Sequence, residues 1–329
     1  MERMTLAKAL NAGLARVLEE DPTTLMMGED IGKLGGVYRI TEGLQARFGE
    51  DRVIDSPLAE SGIIGTSIGL ALRGYRPIAE IQFDGFVFPG FNQITSQLAK
   101  LRMRSEGKLT VPVTIRIPFG GGIGSIEHHS ESPEALFAHT AGLRIMTPAT
   151  PHDAYWMIQE AVQSQDPVIF FEPKRRYWMK GDVDTEHRAA PAAQAQVVRA
   201  GSDATIVAWG PLVPVALAAA QAAQEDGRDV EVIDLRSLSP IDFDTITASV
   251  QRTGRLIVAH EAPTFGGLGG EIAARVAERA FYALEAPVLR VGGFHMPYPP
   301  SKVESHYLPD IDRILDALDR SFQHSEVSA

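Results

Sequence analysis

Two doubly wound parallel-sheet α/β domains are the expected fold, and three observations carry that expectation. Short apolar runs rich in β-branched residues alternate with helical patterns, as in parallel sheets covered on both faces. The alternation runs twice, interrupted over 180–202 by Gly-Asp-Val-Asp and an Ala/Pro/Gln stretch without apolar periodicity. A length of 329 residues, 44% of them hydrophobic, suits two good cores better than one. The expected division is a first domain over 1–180, a linker over 181–202 and a second domain over 203–329.

In the first domain the spacing predicts strands over 24–27, 77–81, 111–117, 143–147 and 167–171. Helices are expected over 6–20, 61–72, 88–105 and 152–164. Two helix starts are strongly marked. Thr150-Pro151-His152-Asp153 and Ser239-Pro240-Ile241-Asp242 each offer a capping residue, a first-turn proline and an acid three residues after the cap. The linker holds a short edge strand over 196–199. Beyond it come strands over 204–209, 229–234, 255–260 and 288–291, alternating with helices over 213–224, 243–251 and 270–284. An amphipathic helix over 308–322 closes the chain, and no short-period repeat is present.

Composition removes several classes of function. Thirty-one basic against 42 acidic side chains give a net charge of -11, the wrong sign for wrapping a phosphate backbone, so no nucleic acid is expected. The absence of cysteine excludes disulfides, thiolate metal sites and cysteine nucleophiles. No stretch is apolar for long enough to cross a bilayer, and the first residues enter an amphipathic helix directly. A cytoplasmic protein without membrane contact is the expectation.

Glu60 is the most informative residue. It opens a stretch from Ser61 to Leu72 that contains no ionisable group, and it stands at a helix first turn, where the dipole favours negative charge. Gly62, Gly65 and Gly69 recur on one face of that helix. Each costs roughly 1 kcal/mol of helix propensity, so a close approach of another backbone and a buried helix are expected. Burial of Glu60 would favour a shared or retained proton; the plainer alternative is a capping acid.

Three loops concentrate further chemistry, two of them directly after strands, where open parallel sheets bind ligands. They are Asp55-Ser56-Pro57-Leu58-Ala59, the aromatic run from Gln82 to Phe91, and Pro118-Phe119-Gly120-Gly121-Gly122-Ile123-Gly124, leading to His128-His129-Ser130. Each has a bland alternative. Phe83, Phe88 and Phe91 fit a core, the glycine loop lacks the Walker lysine, and adjacent histidines point to different sides with no third ligand near. A lone surface histidine is the simpler account of His128.

In this order, however, these segments closely resemble the β subunit of the thiamine-diphosphate-dependent 2-oxoacid dehydrogenases. The resemblance rests on Asp55 to Gly65, Glu80-Ile81-Gln82-Phe83, and His128-His129-Ser130-Glu131-Ser132-Pro133-Glu134-Ala135. Gly28-Glu29-Asp30, Gly35-Gly36-Val37, Phe170-Phe171-Glu172-Pro173-Lys174, Val232-Ile233-Asp234-Leu235-Arg236 and His260-Glu261-Ala262-Pro263 extend it along essentially the whole chain.

The resemblance implies a pyrimidine-binding catalytic domain followed by a C-terminal assembly domain of transketolase type. It implies that Glu60 is the carboxylate that tautomerises the aminopyrimidine of thiamine diphosphate, with Leu58, Gln82 and Phe86 beside that ring. His129 would serve substrate and the handover of the acyl group to lipoamide. No Gly-Asp-Gly triplet occurs in the chain, so Mg2+ and the diphosphate are expected on an α subunit in an α2β2 heterotetramer. That assembly would dock on a lipoyl dihydrolipoamide acyltransferase core. Relatives also hold a monovalent cation, K+ here, through backbone carbonyls at positions resembling Val113, Ala161, Val162, Ser164 and Asp166.

Branched-chain 2-oxoacids are the substrates most suggested by the motifs, with pyruvate or acetoin as alternatives. Phe86 departs from the tyrosine of many branched-chain relatives. His260-Glu261 before Gly266-Gly267-Leu268-Gly269-Gly270 could be an anion or metal site, although assembly is the favoured role for the second domain. A non-catalytic α/β scaffold is the competing class, motivated by the missing metal triplet.

Overall fold

The computed structural model describes residues 1–326 and contains two parallel-sheet layers. The first is a seven-stranded sheet ordered Ser237–Ser239, Arg144–Met146, Val168–Pro173, Thr114–Phe119, Arg76–Glu80, Thr24–Gly28 and Val53–Asp55. All its neighbours run parallel except Ser237–Ser239, which pairs antiparallel with Arg144–Met146. The second sheet is ordered Leu289–Gly293, Leu256–Pro263, Ala204–Ala208, Val230–Asp234 and Gln196–Arg199, with only that last edge strand antiparallel. Central strands such as Thr114–Phe119 and Val168–Pro173 are buried at every position, as continuous apolar runs require.

The two-domain expectation holds, but the division is not clean. Ser237–Ser239 comes from the second half of the chain and extends the sheet of the first. The start of the expected linker is also structured: Lys180–Val183 pairs antiparallel with Glu2–Thr5, tying the amino terminus to the end of the first domain. None of these short strands was expected. Pairing partners so remote in sequence leave no local periodicity.

Several helices differ from expectation for identifiable reasons. The expected helix over 88–105 is three segments: a 3-10 turn over Asp84–Gly90, a π segment over Gln93–Leu98 and an α-helix over Ala99–Arg104. Pro89 cannot donate to a helical ladder. Gly90 sits where an added Cβ would be 3.2 Å from the Glu60 carbonyl. The Thr150 cap forms as expected, accepting from the Asp153 N–H. At the second start Asp242, not Ser239, is the cap and accepts from the Thr245 N–H. Ser239 is instead a strand residue whose Oγ donates to Leu143 O at 2.9 Å.

The helix Glu60–Leu72 buries Ile63, Ile64, Ser67 and Ala71 against the sheet. Its glycine face does the opposite of what was expected. Gly62, Gly65 and Gly69 are exposed, and beyond the helix's own adjacent backbone no described residue lies within 4 Å of a Cβ built on Gly65 or Gly69. The face is therefore apolar, smooth and uncovered by any described residue of this chain.

Candidate active site

The loops that follow the strands of the first sheet converge at one end of it. Strand Thr24–Gly28 delivers Glu29 and Asp30, strand Val53–Asp55 leads to Glu60, and strand Arg76–Glu80 leads to Gln82 and the Asp84–Gly90 turn. Strand Thr114–Phe119 runs into the glycine loop and the short turn Glu127–His129. This is the ligand end of an open parallel sheet.

Glu60 is 9% exposed at the first turn of its helix, and its carboxylate has no hydrogen bond to any described residue. Glu29 lies beside it. Burial, then the Glu60 charge, then Asp30 raise the Glu29 carboxyl above its ordinary range, opposed by a hydrogen bond from the Ala59 N–H. Glu29 Oε1 is buried without a partner. Gln82 Nε2 donates to Glu29 O and to Asp30 Oδ2, each at 3.3 Å. Glu60, Glu29 and Gln82 thus form one acidic corner with unspent acceptor capacity, while Leu58 projects at its edge, 81% exposed.

The second part of the site is aromatic. His129 stands edge-on to Phe83 at 4.2 Å and to Phe86 at 5.2 Å between ring centroids. Its Nδ1 is buried and unpartnered. Burial, then Lys174, then His128 push the His129 imidazole below its ordinary value, with Glu127 opposing. The Asp84–Gly90 turn joins the two parts. Phe86 lies on it, and its far end packs on the first turn of the Glu60 helix. The aromatic run therefore divides: Phe83 and Phe86 face His129, Phe91 packs on Phe137 as core, and Phe88 is 46% exposed rather than buried. His128 is a surface residue beside Glu127.

Two other candidate sites have different roles. The glycine loop presents its N–H groups to carboxylates of the second domain, not to a phosphate. Gly121 N–H donates to Glu261 Oε1, Gly122 N–H to Glu304 Oε1 at 2.8 Å, and Gly124 N–H to Glu304 Oε2 at 3.1 Å. Glu261 also lies 3.0 Å from the Arg175 guanidinium. His260 is fully buried, stacked on Trp209 at 5.1 Å, and burial lowers its pKa to about 4. Among the described residues no group of three His, Cys, Asp or Glu side chains could hold a metal ion. The metal alternative for His260-Glu261 is accordingly corrected to a contact between domains.

Each carbonyl expected to take a monovalent cation already has a protein donor. Val113 O accepts from Val168 N–H at 2.9 Å, and Ala161 O from Ser164 N–H at 3.2 Å. Arg76 Nη1 donates to Val162 O at 2.9 Å and to Ser164 O at 3.1 Å. Ser164 Oγ donates to Asp166 O at 2.9 Å.

Sequence reasoning did not single out Glu29, Asp84 or Lys174 individually. Asp84 and Lys174 form a fully buried ion pair directly behind the histidine turn. Glu29 and Lys174 lie in the motifs Gly28-Glu29-Asp30 and Phe170 to Lys174, and Asp84 lies in the run from Gln82 to Phe91, but nothing in those strings marks them out.

Comparisons with known proteins identify the family and the fold. The transketolase pyrimidine-binding domain profile matches residues 2–179, and the transketolase C-terminal domain profile matches residues 193–314. The chain is 63% identical over 324 residues to the pyruvate dehydrogenase E1 component subunit beta of Leifsonia xyli subsp. xyli, covering 98% of this chain and 96% of that one. It is 52% identical over 320 residues to the 3-methyl-2-oxobutanoate dehydrogenase subunit beta of Mycobacterium tuberculosis, covering 97% and 92%. A solved split-gene transketolase, described as an inactive β4 tetramer, superposes with a TM-score of 0.81 at 23% identity over 98% of this chain and 99% of that one. That last likeness speaks to the fold.

Proposed function

This chain belongs to the family of 2-oxoacid dehydrogenase E1 β subunits, and we propose that it supplies the pyrimidine half of a thiamine-diphosphate site completed by an α subunit. The observation that carries the proposal is the acidic corner of Glu60, Glu29 and Gln82 joined by one turn to the Phe86–His129 face. Two buried atoms there, Glu29 Oε1 and His129 Nδ1, lack partners among the described residues. Buried polar atoms are normally satisfied, so a polar group from outside the chain fits this corner.

When bound, thiamine diphosphate supplies the nucleophilic carbon and the electron sink for decarboxylation. The chain's own residues bind and orient. Glu60 would hold or release a proton at the pyrimidine ring, a task suited to a nearly buried carboxylate at a helix start. Gln82 and Leu58 would border that ring and Phe86 would stack on it. His129, held mostly neutral by its surroundings, would move a proton as the acyl group passes to lipoamide.

Mg2+ and the diphosphate are assigned to the α subunit, since the chain has no Gly-Asp-Gly triplet. The exposed glycine face of Glu60–Leu72 supports assembly with other subunits, because small residues allow close backbone approach. An α2β2 particle docking on a lipoyl acyltransferase core through the second domain is the proposed setting. K+ at the 113, 161, 162, 164 and 166 carbonyls would have to use their second lone pairs beside Arg76.

The motif-based preference for branched-chain 2-oxoacids and the pyruvate named for the Leifsonia relative stand side by side. One methylene of substrate is worth only about 1–3 kcal/mol of discrimination, and the α subunit would line part of the pocket. The deciding experiment co-expresses the chain with its α partner and compares kcat/KM for 3-methyl-2-oxobutanoate and pyruvate. A tenfold or greater preference assigns the substrate. Inactivity of the intact α/β particle toward every 2-oxoacid would contradict the proposal.

A further inference from the structure

The mechanism above uses His129 but does not explain what fixes the short turn that carries it. Glu127–His129 is a single 3-10 turn following a glycine-rich loop, with backbone bonds from His129 N–H to Ile126 O and from Ser130 N–H to Glu127 O, each at 3.0 Å. Ser130 Oγ also donates to Ser125 O at 3.3 Å, and His128 lies 3.5 Å from Glu127. A turn of this length nevertheless has little stability of its own. Behind it lies a buried charge pair. Asp84 and Lys174 are fully buried and ion-paired through Asp84 Oδ1. Asp84 Oδ2 accepts from the Glu131 N–H at 2.8 Å, and Gly120 N–H donates to Glu131 O at 2.9 Å.

The pair also reaches His129 from its other side. Lys174 Nζ lies 5.9 Å from the centre of the Phe83 ring, and the Phe83 ring is the one closest to His129. Next to Asp84, Gly85 is in such close contact with the turn that an added Cβ would be 2.5 Å from His128 O. The carboxylate therefore holds the exit of the turn while its lysine sits behind the ring on which the imidazole rests. An ion pair so fully desolvated gives little net stability compared with apolar side chains of the same size. It does fix geometry, and removing one partner is costly.

We propose that the buried Asp84–Lys174 pair is the positioning device of the His129 turn, seating the imidazole on Phe83 and Phe86 at the mouth of the site for acyl transfer. Asp84 and Lys174 are positioning residues and touch neither cofactor nor substrate. This inference rests on the role assigned to His129 above. Electrostatics supports it. The charged groups acting on His129 are Lys174 and His128, which lower its affinity for a proton, and Glu127, which raises it. Burial pushes the Asp84 carboxyl up and the Lys174 ammonium down, and in each case the partner's charge and hydrogen bond oppose the shift, so each group holds the other in its charged form.

The test uses the reconstituted α/β complex with Lys174→Met, Asp84→Asn, Asp84→Ala and His129→Ala. Two steps are measured as functions of pH: oxoacid decarboxylation coupled to an artificial dye, and acyl transfer to a free lipoyl domain. Asp84→Asn keeps an acceptor for the Glu131 N–H and loses only the charge, so it should be milder than Asp84→Ala. In Lys174→Met the ratio of transfer to dye-linked turnover should fall about tenfold, and the pH midpoint attributed to His129 should move upward. A purely structural loss would lower both steps and the melting temperature together, leaving that midpoint in place, and would overturn the proposal. If His129→Ala impairs transfer while the Asp84 and Lys174 variants leave both the ratio and the midpoint unaltered, the positioning role is wrong and the role of His129 stands. Normal transfer in His129→Ala would remove both.

Discussion

The two domains share a sheet design but use its ligand end differently. In the first sheet, the loops after the strands leave polar atoms unspent: Glu29 Oε1, His129 Nδ1 and the Glu60 carboxylate have no protein partner among the described residues. In the second, the corresponding end is filled by the first domain. Glu261, at the end of strand Leu256–Pro263, accepts from Gly121 N–H and faces Arg175. Trp209, just beyond strand Ala204–Ala208, donates to Glu134 at 3.2 Å. Glu304 takes two further glycine N–H groups while also accepting from the Tyr298 hydroxyl at 2.6 Å. The second end is drawn largely into contacts between the domains, although His260 Nδ1, His260 Nε2 and Glu261 Oε2 are also buried without a hydrogen-bond partner among the described residues. Fold alone does not assign chemistry; the combination of groups gathered at the strand ends does, and only the first end joins unspent carboxylates to an aromatic face carrying a histidine.

The largest effect that could break this contrast is at Glu261. If its carboxylate is a structural clasp, Glu261→Ala should destabilise the α/β complex by roughly 3 kcal/mol, because a buried N–H and a guanidinium lose their partner. Calorimetric melting measures this, and kcat per folded particle should change little. Lost turnover with unaltered melting would make the second crevice a site after all.

Glu134 gives a smaller and pH-dependent effect. It is 1% exposed, and burial raises its pKa to about 8 from a model-compound 4.5. The folded state therefore keeps a proton that the unfolded chain releases, so stability falls as pH rises from about 4.5 to about 8. Glu134→Gln, which needs no proton, should raise the melting temperature clearly at pH 8 and hardly at pH 5. Equal shifts at both pH values would show that Glu134 is ionised in the fold.

Much of this architecture was legible because it is written in local period. The helix expected over 6–20 is present as Leu6–Glu20, and the edge strand expected over 196–199 is Gln196–Arg199. Val53–Asp55 and Ser237–Ser239 were not expected: each is three residues at an edge of the first sheet, defined by pairing with a strand remote in sequence. Glu60 stood out as the acid that opens an otherwise uncharged helix. Glu29 did not, because Gly28-Glu29-Asp30 looks like any polar loop until folding brings it beside Glu60. Lys174 has the look of a surface cation, and only its pairing with Asp84 shows why it can be buried. The charged layer of Arg116 between Glu80 and Glu172 was hidden for the same reason, since its members lie on three adjacent strands far apart in sequence. The glycine face of Glu60–Leu72 misled in the other direction: small residues promised a close neighbour, and the described residues do not provide one at Gly65 or Gly69.

The most direct test of the open crevice is oxoacid decarboxylation by the reconstituted α/β complex carrying Glu60→Gln. The expected result is a particle of unchanged size and melting temperature whose turnover falls by about 10²–10⁴-fold, the usual contribution of a positioned acid–base group. Full turnover in that variant would contradict the assignment of the acidic corner to catalysis.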